Sequence, residues 1–240
     1  MDCRVALPLA SSPGVNTVTG NRLDKTSGAT DVETMLAQSQ PRFFATVGEL
    51  DWYSGSHHHW TEELDLRSDD RVLEIGCATG ILTSHLVDRG LRVTGIDRSR
   101  KMIDRARRDH PGLNFHVGDA TRLPYDDDTF DAVVAASVVN VVDDAKPVLS
   151  EMHRVCVPGG TVSVLVPSTS FTDEDLDALI ETRDLTGFSE AALTKWHRGP
   201  TKMSSSQLDA LFRGVGLEPG VFRSYLDGML IAATATVRSD

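Results

Sequence analysis

VLEIGCATGILTSHLVDRGLRVTGID, residues Val72 to Asp97, is the stretch from which the rest of the chain can be read. A short β-branched run ends near Glu74, a loop carries Gly76, Ala78 and Gly80, a helical stretch follows, and a second strand ends in Asp97, 23 residues after Glu74. Small residues at 76, 78 and 80 let the loop backbone come close to a ligand, and the N-terminus of the helix behind it offers unpaired N–H groups. An acid at the end of the second strand can accept both hydroxyls of a ribose. Together these features mark the site of a nucleoside-containing cofactor.

The loop spacing narrows the choice. A dinucleotide fingerprint needs G-x-G-x-x-G, its third glycine packing helix against strand. Here Gly76-Cys77-Ala78-Thr79-Gly80-Ile81-Leu82 gives G-x-A-x-G with no glycine at the third place. The acidic Glu74 beside the loop also suits a positively charged ligand better than a pyrophosphate. Both departures point away from NAD.

Outward from this stretch, β-branched runs alternate with helical ones at the spacing of βαβ units. The predicted strands are residues 71–75, 92–96, 114–117, 131–136 and 161–166, with helices over 81–89, 99–109 and 145–155. Near-continuous apolar strands imply a sheet covered on both faces, hence parallel, and right-handed crossovers then give an α/β, doubly wound fold. After a helix around Ser205 to Val215, two further strands, 220–225 and 229–237, are joined by only Leu226-Asp227-Gly228. So short a link demands antiparallel pairing. The expected sheet is therefore seven-stranded and mostly parallel, ending in an antiparallel hairpin. Residues 167–203, with an amphipathic stretch over Asp173 to Arg183 and another over Glu190 to Trp196, read as a cap inserted over the carboxyl edge of the sheet. Residues 1–40, rich in Ser, Thr, Gly and Asn, read as a flexible arm, with a short helix over Asp31 to Gln40 that Pro41 stops. Residues 41–240 then form a single domain. Its first segment, 41–60 (PRFFATVGELDWYSGSHHHW), is too aromatic for a linker and should pack on something.

Composition sets outer bounds. With 240 residues, 40% hydrophobic and 25% charged, the chain has the makeup of a globular domain rather than a fibrous or disordered one. The net charge of −11 repels phosphate backbones, so neither nucleic acid nor a membrane is expected as a partner. One local cluster runs against this balance: Arg98, Arg100, Lys101, Arg105, Arg107 and Arg108, at helical spacing. It reads either as a solvated helix face or as a docking patch for an anionic substrate. Three cysteines, Cys3, Cys77 and Cys156, with no Cys-x-x-Cys pair, argue against a disulfide framework and for a reducing compartment. Without a secretory pattern at the start or an apolar run of membrane length, the expected location is cytoplasmic.

With these residues in view, the chain resembles the class I S-adenosylmethionine-dependent methyltransferases, of the small-molecule kind with a ubiquinone/menaquinone-methyltransferase-like core. The E/D-x-G-x-G-x-G segment of that family is similar to Glu74 through Gly80, its ribose acid to Asp97, and its D-x-S-x-x-M pattern to Asp97-Arg98-Ser99-Arg100-Lys101-Met102. GDATRLPYDDDTFDAVV, from Gly118, resembles the adenine-binding strand end, and HRVCVPGGTVSVLVP, from His153, the turn into strand five. The resemblance implies S-adenosyl-L-methionine as cofactor. Glu74, Gly76, Cys77, Ala78 and Gly80 would then surround its methionine part, Asp97 would hold the ribose, and Arg98 and Met102 would flank the adenine. Asp119 would accept from the adenine amine, Ala120 would offer its N–H to a ring nitrogen, and Ser137 would lie near the methionine moiety. Arg98 stands where the family usually has a hydrophobic residue, and Met102 serves equally as core filling.

Methyl transfer from a sulfonium is an in-line displacement, so the protein chiefly aligns the acceptor and excludes water. A general base is needed only for an acceptor that arrives protonated. The candidates are Tyr53 and the run His57-His58-His59, of which Tyr53, His58 and His59 are taken as catalytic, in a segment that folds over the cofactor in similar proteins. Three adjacent His cannot share one helix face, so no metal site is expected. Asn140 occupies the position after strand four where many relatives carry His, and His197 is a second-rank base. The expected activity is methyl transfer to a small-molecule O, N, S or C nucleophile. A non-catalytic cofactor-binding module and a Rossmann oxidoreductase are the alternatives.

Overall fold

The computed structural model describes residues 25–238. Seven strands form one mixed sheet: β1 (Arg71–Ile75), β2 (Arg92–Asp97), β3 (Asn114–Val117), β4 (Phe130–Ala136), β5 (Cys156–Pro167), β6 (Pro219–Tyr225) and β7 (Leu230–Thr236). Their order is β3-β2-β1-β4-β5-β7-β6, with the first five parallel and β7 antiparallel to both β5 and β6. Reversal of strand order between β1 and β4 opens a crevice at their carboxyl ends, where open α/β sheets bind ligands.

Side-chain alternation along the strands explains the two covered faces. Val72, Val134, Leu165 and Ala232 point into one core, while Leu73, Val133, Val164 and Ala233 point into the other. The second core is closed by α6 (Ala145–Val155) and α9 (Ser205–Arg213) through Leu149, Met152, Leu208 and Phe212, all fully buried. Helices α4 (Ile81–Asp88) and α5 (Arg100–Asp109) complete the βαβ units as predicted.

β5 begins at Cys156, five residues before the predicted start, because a register shift between Phe130 and Ala132 of β4 lets Cys156 pair with Phe130 ahead of the main ladder. The short link between the last strands is a 3-10 turn, Leu226–Gly228, in which all three residues have positive φ.

The N-terminal region differs from the expected arm. Residues 1–24 lie outside the described residues, but α1 (Lys25–Gln38) is helical from Lys25 and packs on α8 (Gly187–Arg198), with Val32 buried and Lys195 Nζ 2.6 Å from Glu33. Pro41 does not simply stop this helix. It sits in the first turn of α2 (Gln40–Gly48), where its missing N–H forfeits no hydrogen bond. The aromatic segment continues into α3 (Asp51–Glu62), with Trp52, Ser56, His57, Trp60 and Thr61 buried. Trp60 is fully buried and its indole N–H donates to Ser163 Oγ of β5 at 3.0 Å, which ties α3 to the sheet. The insertion after β5 folds as α7 (Asp173–Thr182), opened by a Thr172/Asp175 capping box, and then α8. Among the described residues no helix is long and apolar enough to cross a membrane.

Candidate active site at the carboxyl edge of the sheet

The loop after β1 takes its shape from three left-handed residues: Gly76, Ala78 and Gly80 have φ of 73°, 46° and 84°. At Gly76 and Gly80 a side chain would be both strained and obstructed, by Val138 and by Phe115. The turn is fixed to β2 by the Gly76 and Cys77 N–H groups, which donate to the Ile96 carbonyl at 2.7 and 3.1 Å. Asp97 then joins two loops: its Oδ2 accepts from Ala78 N–H at 3.1 Å and its Oδ1 from Ser99 N–H at 2.8 Å. A carboxylate offers about four acceptor positions, so half-buried Asp97 retains capacity for two hydroxyls.

Glu74 pairs in register with Gly95, two residues before Asp97, and is buried. Its carboxyl accepts a hydrogen bond from Thr83 Oγ1 of α4. Burial pushes its pKa up to about 7, the Thr83 bond opposes this, and the negative charge of Asp97 adds to the rise. Burying an acid is costly unless something compensates its charge. A cation at the loop would do so, and with the acceptor capacity of Asp97 the residues present fit S-adenosylmethionine.

The remaining predicted positions fall around this edge. Cys77 is buried, and burial, then Glu74, holds its thiol far above the ordinary range, which makes it packing rather than nucleophile. Met102 is buried on the inner face of α5, and Arg98 is exposed. Asp119 is exposed at the end of β3, its Oδ1 accepting from Thr121 N–H and Oγ1 at 2.9 and 2.8 Å, bonds that lower its pKa. Ala120 packs against the second core, and Ser137, with φ of 53°, donates its N–H to Leu165 O at 2.7 Å.

Helices α2 and α3 roof the loop. Phe44, Tyr53, Ser54, His57 and His58 face Glu74, Gly76, Cys77, Ala78, Thr79 and Ala136 across a cavity of about 40 Å³. The roof is tight: a Cβ at Gly48, the end of α2, would collide with the Ile81 side chain. Sites for small ligands span roughly 300–1,000 Å³, so this cavity is a fraction of such a site; Asp97, Met102 and Asp119 lie outside its lining.

The three adjacent His diverge on α3. His57 is buried, with Nδ1 2.8 Å from the Tyr53 carbonyl; that oxygen only accepts, so Nδ1 carries the proton and Nε2 keeps its lone pair. Burial pushes the His57 pKa down to about 4, partly offset by the Tyr53 bond. His58 stacks on His85 of α4 with ring centroids 3.6 Å apart, and both Nε2 atoms are buried without a partner. His59 does not line the cavity; its side chain is 66% exposed and 3.5 Å from Glu63. The Tyr53 ring lies 4.4 Å from that of His57, and Trp196 of α8 packs on both, at 4.9 and 5.9 Å. Burial, then the Glu74 charge, keeps the Tyr53 phenol protonated.

Phe44, Thr83 and Trp196 escaped the sequence reading, since nothing local links them to the loop. His197 is buried away from the cavity, its Nε2 3.0 Å from Asp173 and 3.1 Å from Lys202. Asn140 donates to Thr201 O at 3.0 Å and ties the loop after β4 to the chain behind α8. Among the described residues no group of three or more His, Cys, Asp or Glu is placed to hold a metal ion.

Residues 73–164, which contain the loop, Glu74, Asp97 and Asp119, match the family described as a methyltransferase domain. Among the chain's distant relatives is the demethylmenaquinone methyltransferase of Beutenbergia cavernae, 41% identical over 108 residues, which are 45% of each chain. The phosphatidylethanolamine N-methyltransferase of Cereibacter sphaeroides is 43% identical over 101 residues, 40% of this chain and 49% of that protein. The chain thus spans about half the length of the curated relatives it matches. In fold it is similar to an S-adenosylmethionine-dependent methyltransferase from Aquifex aeolicus, with TM-score 0.61, 17% identity and coverage of 83% of this chain and 99% of the other. The [4+2]-cyclase SpnF shares the fold at TM-score 0.57 and 18% identity, covering 85% of this chain and 82% of the cyclase.

Proposed function

We propose that this protein transfers a methyl group from S-adenosyl-L-methionine to a small, partly apolar acceptor held beneath α3. The observation that carries this reading is the pair of carboxylates, Glu74 and Asp97, at neighbouring strand ends on either side of the left-handed loop. The cofactor, when bound, supplies an electrophilic methyl on a cationic sulfur. Asp97 accepts the ribose hydroxyls, and Asp119 and Ala120 take the adenine, with Met102 and Arg98 beside it. Glu74 ionises as a cation arrives and compensates its charge within the low-dielectric edge of the sheet. Gly76, Cys77, Ala78, Gly80 and Ser137 line the methionine end.

We read α2 and α3 as a lid and residues 167–203 as a cap. Tyr53, His57 and Trp196 form an aromatic wall that suits a planar acceptor and excludes water. The quinone ring system of demethylmenaquinone, the acceptor in the name of several relatives, is planar and apolar and suits this wall better than a phosphatidylethanolamine headgroup would. We assign the base to His57. Its Nε2 lone pair is available at neutral pH and takes the acceptor proton as the nucleophile aligns with the methyl. Tyr53 orients the ring of the acceptor, His58 borders the site through its stack on His85, and His59 is given no role. Buried, unpaired Cys77 and Cys156 suit a reducing compartment, and we place the protein in the cytoplasm.

Calorimetric titration with S-adenosylmethionine and, separately, NAD tests the cofactor. Binding of the sulfonium compound and none of NAD is expected; the reverse would refute the reading in favour of an oxidoreductase. Labelled methyl transfer to panels of phenol, amine, thiol and carbon nucleophiles then finds the acceptor. Cofactor binding with transfer to none of them would leave a binding module.

A further inference from the structure

A second depression shares no lining residue with the cavity beneath α3, although Ser99, whose N–H donates to Asp97, lines it. It is a groove of about 550 Å³ between α5 and the elbow joining α1 to α2. One wall is the face of α5 that carries Lys101, Arg105 and Arg108, at i, i+4 and i+7, with Asp104 among them. The other is the run Leu36 to Pro41, which presents Gln38, Ser39 and Gln40 at the N-terminus of α2 and no carboxylate. We propose that this groove binds a phosphate group, carried either by a soluble metabolite or by a phospholipid headgroup.

Three features support the assignment. Elsewhere in this acidic protein Arg71, Arg154, Arg183, Arg213 and Arg223 each sit on a carboxylate, while among the described residues Arg42, Arg67, Arg92 and Arg122 form no ion pair. On α5 only Arg105 is so paired, with Asp109; among the described residues Lys101 and Arg108 have no ion-pair partner. The helix dipole accounts for basic residues in the last turn of α5, Arg107 and Arg108, but not for Arg100 and Lys101 in its first turn, where it opposes them and no acidic residue is present. Cations stacked at i, i+4 and i+7 also repel one another. Stability alone would select against both arrangements, and an anion lying in the groove relieves both. The groove further joins these charges to the neutral side-chain donors of Gln38, Ser39 and Gln40, a combination suited to phosphate oxygens.

The test uses the full chain without methyl donor, so its outcome is separate from that of the methyl-transfer reading. Wild type and Lys101→Glu/Arg108→Glu are titrated with sodium pyrophosphate in low-salt, phosphate-free buffer, and co-sedimented with phosphatidylglycerol or phosphatidylcholine vesicles. Arg67→Glu/Arg122→Glu, the same change in charge elsewhere on the surface, is the control. Glu in the first turn suits the α5 dipole, and circular dichroism checks that each variant is folded. Pyrophosphate binding that weakens at least tenfold in the α5 variant and not in the control supports a soluble ligand. Selective retention on phosphatidylglycerol, lost in the same variant alone, supports a headgroup. Binding to neither probe, binding that the α5 variant keeps, or an equal loss in the control overturns the proposal.

Discussion

At the scale of single residues, Asp97 and His57 carry the sharpest expectations. Asp97 already holds two loop N–H groups, so a second pair of donors from a ribose would complete its coordination. Asp97→Ala should weaken S-adenosylmethionine binding by about 1.5–3 kcal/mol, the worth of a charged acceptor. Unchanged affinity by calorimetry in a folded variant would remove it from the site. His57→Gln keeps the bulk of the ring position but supplies no base; turnover should fall by roughly 10²–10⁴ while cofactor affinity stays within a factor of two or three. Turnover equal to wild type would exclude His57 as base, and a matching loss of cofactor affinity would make it a structural prop. The left-handed turn of the glycine-rich loop and the place of Asp97 at the end of β2 were legible because they depend on local order along the chain. His57 was legible only as one of three neighbours: its burial follows from the turn of α3, which puts His57 under the roof and His59 in solvent.

At the scale of elements, the reading of α2 and α3 as a lid carries its own test. The cavity of about 40 Å³ beneath them is far smaller than a methyl acceptor beside the methionine end of a cofactor, and α3 is held to the sheet through the Trp60 side chain while α2 packs on α1, α3 and α5. Hydrogen exchange should therefore report lower protection in α2 and α3 than in β1 and β4, with a gain on adding S-adenosylmethionine. Equal protection with and without the cofactor would count against a mobile roof. The sequence read the βαβ units and the final hairpin well because alternation and a three-residue turn are local signals. It did not read α2 and α3 as helices. DWYSGSHHHW is poor in strong helix formers, and its buried face, Trp52, Ser56, His57 and Trp60, is apolar only in part. Packing against β5 and α8 supplies what propensity lacks. The same holds for α1, whose docking on α8 joins parts of the chain more than 150 residues apart.

For the whole molecule, the buried acid and the buried imidazole have opposite effects on stability as pH changes. His57, with its pKa lowered to about 4, refuses a proton that the unfolded chain accepts below its usual 6.5. That costs stability as pH falls through this window, on the order of 3 kcal/mol in full. His58, His85 and His197 are lowered as well and act in the same direction. Glu74, raised to about 7, holds a proton that the unfolded chain gives up above 4.5, so its stabilising contribution is complete below 4.5 and lost as pH rises to 7. Urea unfolding of Glu74→Gln from pH 4.5 to 7 should then show stability rising with pH more steeply than in wild type. Parallel curves would show that Glu74 titrates normally.

The chain by itself determined the doubly wound sheet, the glycine-rich turn after β1 and the acid at the end of β2, because each follows from patterns spanning a few residues or one βαβ unit. Only the tertiary structure decided what covers that loop. The aromatic wall of Tyr53, His57 and Trp196 is assembled from a helix before the sheet and a helix after β5. Burial, which sets the proton affinities of Glu74 and His57, depends on the same long-range packing, and no short window of sequence encodes it.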